Sequence, residues 1–302
     1  MKTVKLGTLQ TTQLVYGCMK LGKAEEQDAL RAVHTAYDCG IRMFDNADIY
    51  CAGESERCFG RALREIGRDK VAVQSKCGIR PGYYDFSREH LLQSVEGSLR
   101  RIGTDYLDVL CLHRPDTLME GEEVAEVFDT LHKRGMVRAF GVSNFTPLQI
   151  EYLKKYTSFP IVANQLQFGP AHTGMVDCGI CANMESAGAL GKDGGVLDYC
   201  RLHDIVIQAW GPLRAGHGRP GTFLDNPAYE QANTCLEHFA AQFGVTKAAV
   251  AVAWIERHSA GMQVILGSVR AERIREMAEA DRVELSRAQW YEIYRAFGNL
   301  VP

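Results

Sequence analysis

The chain has 302 residues, 46% of them hydrophobic and 24% charged, which is ample apolar material for a large core. A formal net charge of −3, with no like-charged tail, argues against a nucleic-acid or membrane-surface partner. The opening MKTVKLGTLQ lacks an apolar signal core and no run reaches the ~20 apolar residues of a bilayer span; ten scattered cysteines fit reduced thiols in the cytoplasm better than a disulfide scaffold.

Short apolar runs alternate with amphipathic segments along almost the whole chain. KLGTLQTTQLVYG predicts a small N-terminal hairpin that runs into a first strand, LVYGCM. The helix EEQDALRAVHTAYDCG follows, with Leu30, Val33, Ala36 and Tyr37 at helical spacing and Gly40 as its stop. IRMFDNA then leads to SERCFGRALREIG, and VAVQSK to SREHLLQSVEGSLRRIG, which Ser87 opens and Gly103 closes. LDVLCLH leads to EEVAEVFDTLHKRG, VRAFGVSN to TPLQIEYLKKY, and IVANQLQ, after a long gap, to GGVLDYCRLHD. IVIQAWG precedes AYEQANTCLEHFAAQFG and a further helix, VTKAAVAVAWIERH; QVILGS precedes RAERIREMAEA, and SRAQWYEIYRAF closes the chain.

Eight strand-like runs, each near-continuously apolar and each leading to a helix, predict a parallel sheet buried on both faces. Eight repeats favour a closed (β/α)8 TIM barrel over residues 1–302 as one domain, capped by the N-terminal hairpin and extended by extra C-terminal helices. The first strand carries no Gly-x-Gly-x-x-Gly, which weighs against a Rossmann fold. Two glycine-rich stretches, 168–195 and 215–226, are too long or too irregular for ordinary connections and are expected on one rim. Phe168, His172 and Met175 in the first are candidates for lining a pocket.

Catalytic groups of such a barrel come from the C-terminal ends of its strands. Those ends read Asp45, Lys76, His113, Ser143-Asn144, Asn164-Gln165, Trp210 and Gly267-Ser268. Each alone has a bland explanation, such as a snorkelling lysine or a satisfied core histidine; all of them on one rim do not. Asp, Tyr, Lys and His together suit hydride addition to a carbonyl, where a general acid must neutralise the oxygen. Tyrosine ordinarily ionises near 10, and a neighbouring ammonium draws it toward the useful range. A carboxylate holds that lysine, and a histidine can bond the same oxygen.

The motifs FDNADIY, QSK, LDVLCLHRPD, GVSNF, NQLQ, QAWGPL and ILGSVRAERIRE, in that order, resemble the aldo-keto reductase superfamily, most of all its bacterial oxidoreductases. The resemblance spans the chain apart from the two irregular stretches. It implies a tetrad of Asp45, Tyr50, Lys76 and His113: Tyr50 as proton donor, Lys76 lowering its pKa, Asp45 paired with Lys76, and His113 positioning the carbonyl. It further implies that Ser143, Asn144 and Gln165 bond the nicotinamide carboxamide and that Trp210, where the family more often has Tyr, stacks on the ring. The backbone of Gly211, Pro212 and Leu213 would approach the pyrophosphate. In the adenosine segment, Gly267 and Ser268 precede a helix start that favours phosphate, and Arg270 and Arg273 offer forks for a phosphate monoester, which selects NADPH. Two positions depart from the pattern: Tyr50-Cys51-Ala52-Gly53 replaces the usual Tyr-Gly, and Leu266 replaces a proline.

The expected activity is therefore NADP(H)-dependent reduction of an aldehyde or ketone by a monomeric cytoplasmic enzyme acting on small molecules. The alternatives are a cofactor-binding regulatory or redox-sensing protein on the same scaffold and a metal-dependent barrel hydrolase. Asp45, Asp48 and His113 would be available to the latter, but it leaves Lys76, Trp210 and the amides without a purpose. Cys178 and Cys181 form CGIC, a spacing that suits a redox dithiol or half a zinc site, though no second Cys-x-x-Cys exists.

Overall fold

A computed structural model of the chain describes residues 1–216 and 218–301. The chain opens with the antiparallel hairpin β1 (Thr3–Leu6) and β2 (Leu9–Thr12). Then come β3 (Leu14–Gly17), β4 (Met43–Asp45), β5 (Ala72–Cys77), a two-residue-stranded hairpin β6 (Ile79–Arg80) and β7 (Tyr83–Tyr84), β8 (Leu107–Leu112), β9 (Val137–Ser143), β10 (Ile161–Gln167), β11 (Val206–Trp210) and β12 (Gln263–Leu266). Strands β3, β4, β5, β8, β9, β10, β11 and β12 close into one parallel barrel in chain order. This is the (β/α)8 barrel expected from the eight apolar runs.

The helices follow the same pattern. They are α1 (Glu26–Asp38), α2 (Glu54–Ile66), α3 (Arg88–Ile102), α4 (Gly121–Lys133), α5 (Pro147–Lys154), α6 (Gly174–Ile180), α7 (Val196–Leu202), α8 (Glu230–Phe243), α9 (Lys247–Glu256), α10 (Ala271–Ala278) and α11 (Arg287–Ala296). Helix α3 carries both of its predicted end signals, and α5 and α11 carry start signals of their own. Ser87 accepts from the backbone N–H of His90 at the start of α3, and Gly103 ends it at φ 75°. Thr146 with Gln149, and Ser286 with Gln289, form capping boxes on α5 and α11.

Strand parity divides the interior into two cores. Outward residues such as Tyr16, Phe44, Val73, Leu110, Ile207 and Val264 pack under the helices. Inward residues Val15, Met43, Ala72, Val109, Val206 and Ile265 fill the lower barrel together with Leu6 of the hairpin. The hairpin thus plugs the N-terminal mouth, and its turn needs Gly7: φ is +56°, and a Cβ there would stand 2.8 Å from Val162 Cγ1. With the bottom apolar and sealed, the polar inward residues gather higher up, toward the strands' C-terminal ends.

The stretch 168–195 is more ordered than its composition suggests. It contains α6 and a 3-10 turn at Ala187–Ala189. Asp177 of α6 accepts from Tyr294 Oη at 2.6 Å and from Thr173 Oγ1 at 3.0 Å, tying the loop to α11. Phe168 stacks on Trp254 with centroids 5.4 Å apart, and Met175 is buried in the outer core. Both side chains, offered by the sequence as possible pocket lining, are taken up in core packing. Cys178 and Cys181 are both free thiols, and burial foremost, then the Asp193 charge, pushes Cys178 above the usual thiol range. That is the reverse of the thiolate a redox dithiol needs.

Candidate active site

Strand β4 ends on Asp45 and β5 carries Lys76 on its inward face, so neighbouring parallel strands deliver both into the barrel. Lys76 is fully buried. Its Nζ donates to Asp45 Oδ2 at 2.7 Å, to the Asn46 carbonyl at 2.8 Å and to Tyr50 Oη at 3.1 Å. All three ammonium protons are used, which a buried cation requires. Burial pulls the Lys76 pKa down, but Asp45 and Tyr50 together hold it above the ordinary lysine value. Lys76 is therefore a permanent cation at the floor of the site.

Tyr50 stands on the connection after β4, in a 3-10 turn at Tyr50–Gly53. Its ring meets the His113 ring edge-on, with centroids 5.8 Å apart and planes at 82°. The expectation that Lys76 sets the Tyr50 pKa captures one of two opposing effects. Burial raises it more than Lys76 lowers it, so the phenol ionises above its ordinary value. Tyr50 thus keeps its proton at neutral pH. His113 is neutral there too, because burial, Lys76 and Arg114 hold it well below the ordinary imidazole value. Its Nδ1 is sealed from solvent and has no hydrogen-bond partner among the described residues, whereas Nε2 is not among the buried unpartnered atoms.

The turn that presents Tyr50 is strained. Cys51 and Ala52 have φ of 52° and 54°, followed by Gly53 at 86°. A non-glycine residue in this region costs roughly 1–2 kcal/mol, which gives a physical reason for glycine to be usual after such a tyrosine. Replacing Cys51 with Gly is expected to stabilise the protein by about 1 kcal/mol, raising the thermal midpoint by about 2 °C. A lower midpoint in the Cys51→Gly protein would show that the thiol's packing outweighs the strain.

The amide and aromatic candidates cluster beside the tetrad residues. Ser143 Oγ donates to the Gln165 carbonyl at 3.1 Å, and Asn144 Nδ2 donates to Ser143 Oγ at 2.7 Å. Trp210 Nε1 donates to Asn144 Oδ1 at 3.2 Å, fixing the indole over this corner. Gln165 Nε2 donates to Asp45 Oδ1 at 3.1 Å, joining the amide cluster to Asp45. Gly211 turns the chain at φ +67°, where its carbonyl accepts from Arg214. Leu213 is half-buried and its carbonyl accepts from Thr222 Oγ1 at 2.7 Å. The Arg214 guanidinium stands 5.8 Å from the Trp210 ring, a cation at the rim that sequence reasoning passed over.

Farther along the rim, Gly267 is exposed, and Ser268 offers its carbonyl to Tyr16 Oη at 2.8 Å and its Oγ to the Arg270 N–H at 3.1 Å. Arg270 caps α10 and Arg273 lies in its first turn, both exposed. A cavity of about 360 Å³ opens between this segment and the tetrad, lined by Lys20, Lys23, Ile49, Tyr50, Cys51 and Val269 among others. The cavity joins Tyr50 to Val269, three residues after Leu266 ends β12 and two before α10 begins at Ala271. These residues suit a dinucleotide: amides and an indole at one end, arginines and a helix start at the other.

Asp48 does not join the tetrad. Burial, with Glu56 nearby, raises its pKa to about 6, and Ser94 and Arg101 partly offset this. It belongs with Glu56, whose carboxylate accepts from Ser75 Oγ at 2.7 Å and Arg101 Nε at 2.6 Å. Among the described residues, no three His, Cys, Asp or Glu side chains gather as a metal's ligands would.

Three residues of the site were not singled out from the sequence. Gln74, Gln208 and Gln263 sit fully buried on the inward faces of β5, β11 and β12. Gln74 Nε2 donates to Asp45 Oδ1 at 2.6 Å, beside the bond from Gln165.

An eight-stranded parallel barrel with Asp, Lys, Tyr and His at its C-terminal mouth and an amide corner beside them defines a nicotinamide-type reductase class. The aldo/keto reductase family model matches residues 13–296, so the chain belongs to that family of oxidoreductases acting on carbonyls. It is 33% identical over 301 residues to a 6-dehydroglucose reductase of Agrobacterium fabrum, covering 95% of this chain and 94% of that protein. It is 34% identical over 269 residues to the oxidoreductase YdhF of Escherichia coli, covering 86% and 84%. A crystal structure of an aldo-keto reductase from Klebsiella pneumoniae in complex with NADPH superposes with a TM-score of 0.80 at 26% identity, over 98% of this chain and 95% of that one.

Proposed function

We propose that the protein reduces an aldehyde or ketone to an alcohol with NADPH, with Tyr50 as general acid. The observation that carries this reading is the placement of Lys76 Nζ, 2.7 Å from Asp45 Oδ2 and 3.1 Å from Tyr50 Oη. NADPH supplies the hydride. Tyr50, kept protonated by burial, gives its proton to the carbonyl oxygen as charge develops there. The Lys76 ammonium stabilises the phenolate left behind. Neutral His113 offers Nε2 to the same oxygen and orients the carbonyl. Ser143, Asn144 and Gln165 would hold the carboxamide and Trp210 the ring face; Gly211, Leu213, Gly267 and Ser268 would supply backbone and hydroxyl groups to the pyrophosphate and adenosine. The Klebsiella structure in complex with NADPH and the 6-dehydroglucose reductase from Agrobacterium both support the reading.

The test is consumption of NADPH against a panel of aldehydes and ketones, monitored with NADH alongside. A folded protein that binds NADPH but turns over no carbonyl would move the reading to a cofactor-binding regulatory role. The choice of NADPH over NADH rests on Arg270 and Arg273. Neutralising both is expected to weaken NADPH binding by about tenfold to a hundredfold, the worth of one or two charge-assisted bonds. NADH binding should change by less than about twofold; an equal loss for both cofactors in fluorescence titrations would remove the basis for the choice.

A further inference from the structure

Four glutamines form one hydrogen-bonded layer across the barrel beneath the tetrad. Gln165, Gln208 and Gln263 are in register on the adjoining strands β10, β11 and β12. Gln74 reaches them from β5, on the far side of the barrel. Gln208 and Gln74 form a reciprocal pair across the lumen: Gln74 Nε2 donates to Gln208 Oε1 at 2.9 Å, and Gln208 Nε2 donates to Gln74 Oε1 at 3.0 Å. Gln208 Nε2 also donates to Gln263 Oε1 at 2.9 Å, and Gln263 Nε2 donates to the Thr12 carbonyl at 2.8 Å. Gln165 Nε2 donates to Gln208 Oε1 at 3.2 Å and to Asp45 Oδ1 at 3.1 Å.

The layer has a fixed sense. The Thr12 carbonyl only accepts, so Gln263 must turn its NH2 there and its Oε1 toward Gln208. Gln208 then gives N–H to Gln263 and presents Oε1 to Gln74 and Gln165. At the other end the Asp45 carboxylate, paired with Lys76, also only accepts. Rotating the Gln165 amide by half a turn would set its oxygen against Asp45 Oδ1 and Gln208 Oε1, acceptor against acceptor in a buried site. Both N–H protons of Gln165 are thereby spent, and its Oε1 accepts no hydrogen bond from the described residues.

Resting on the proposed NADPH-dependent reading, we propose that Gln74, Gln208 and Gln263 are positioning residues: they lock the Gln165 amide so that its Oε1 is the fixed acceptor for the NH2 of the cofactor's carboxamide. The lock selects for a cofactor that carries that NH2, and it reaches from the barrel's plugged end to its mouth without any of the three touching the cofactor.

The experiment is tryptophan-fluorescence titration of the full chain with NADPH and with its 3-acetylpyridine analogue, in which a methyl replaces the carboxamide NH2. The wild type is expected to favour NADPH by about tenfold, one buried hydrogen bond. Gln208→Met should cut that preference to about twofold or less, as should Gln165→Leu, and the double variant should lose nothing further because both act through one bond. Should Gln208→Met fail to fold, Gln263→Met, two amides removed from Gln165, is read in the same terms and should lower the preference in the same direction. A folded Gln208→Met or Gln263→Met protein with the full wild-type preference overturns the lock. A wild type that binds NADPH and the analogue equally overturns it while leaving carbonyl reduction standing; a wild type that binds neither overturns both.

Discussion

Tyr50→Phe is expected to lower the rate of carbonyl reduction by roughly 10² to 10⁴, the range for removing a positioned general acid. NADPH affinity should stay within about twofold, because among the described residues the lost hydroxyl bonds only Lys76. The fold should tolerate the change, since Lys76 keeps Asp45 and the Asn46 carbonyl as partners. The pH profile separates this role from a merely structural one. With burial raising the Tyr50 pKa above its ordinary value, reduction needs the protonated form and should hold through neutrality, then fall only on the alkaline side. In the Tyr50→Phe protein the residual activity should lose that alkaline limb. A rate within tenfold of wild type, or an unchanged limb, would assign the proton to another group.

The barrel, and the convergence of Asp45, Lys76 and His113 on one rim, were legible because both are written locally. Eight apolar runs of strand length alternate with helical periods, and Asp45, Lys76 and His113 each end such a run, where parity turns them inward. The glutamine layer was not legible for the opposite reason. Gln74 and Gln208 are 134 residues apart in the chain, and one amide inside a strongly apolar strand carries no periodic signal of its own. What could have found it is parity: Gln74 shares the inward face with Lys76, and Gln208 shares it with Trp210. Only one of the two effects on the Tyr50 pKa is legible, because sequence counts charges but not burial: the lowering by Lys76 is visible in QSK, and the surface that closes over the phenol is not. Similarly, 168–195 has no periodicity long enough to declare α6, whose seven residues owe their place to Asp177 meeting Thr173 and Tyr294. The left-handed turn at Cys51 and Ala52 was hinted at only by the missing Tyr-Gly pair, a departure whose strain needed backbone angles to appear.

The largest stability effect is expected from Lys76→Met. Lys76 has no exposed side-chain surface and Asp45 almost none, so removing the ammonium strands a carboxylate in the barrel. Breaking a buried pair from one side costs about 3–5 kcal/mol, a large share of the stability of an ordinary domain. The bonds from Gln74 and Gln165 remain on Asp45 Oδ1, which places the expected loss toward the lower end. The loss must depend on pH with a definite sign. In the variant a buried carboxylate without its cation is favoured in the protonated form, so the folded state takes up a proton within the acid-to-neutral window. Stability is then regained as pH falls and lost as pH rises through that window. Urea unfolding at about pH 5 and pH 8 should therefore show a larger deficit at pH 8. Adding Asp45→Asn to Lys76→Met removes the stranded charge while keeping an oxygen to accept from Gln74 and Gln165. The double variant should be more stable than Lys76→Met at pH 8 and nearly flat between the two pH values. If Lys76→Met costs less than about 1 kcal/mol at pH 8, or the double variant is worse than the single one, the barrel floor is wetter than its burial indicates and the pair is not what fixes Asp45.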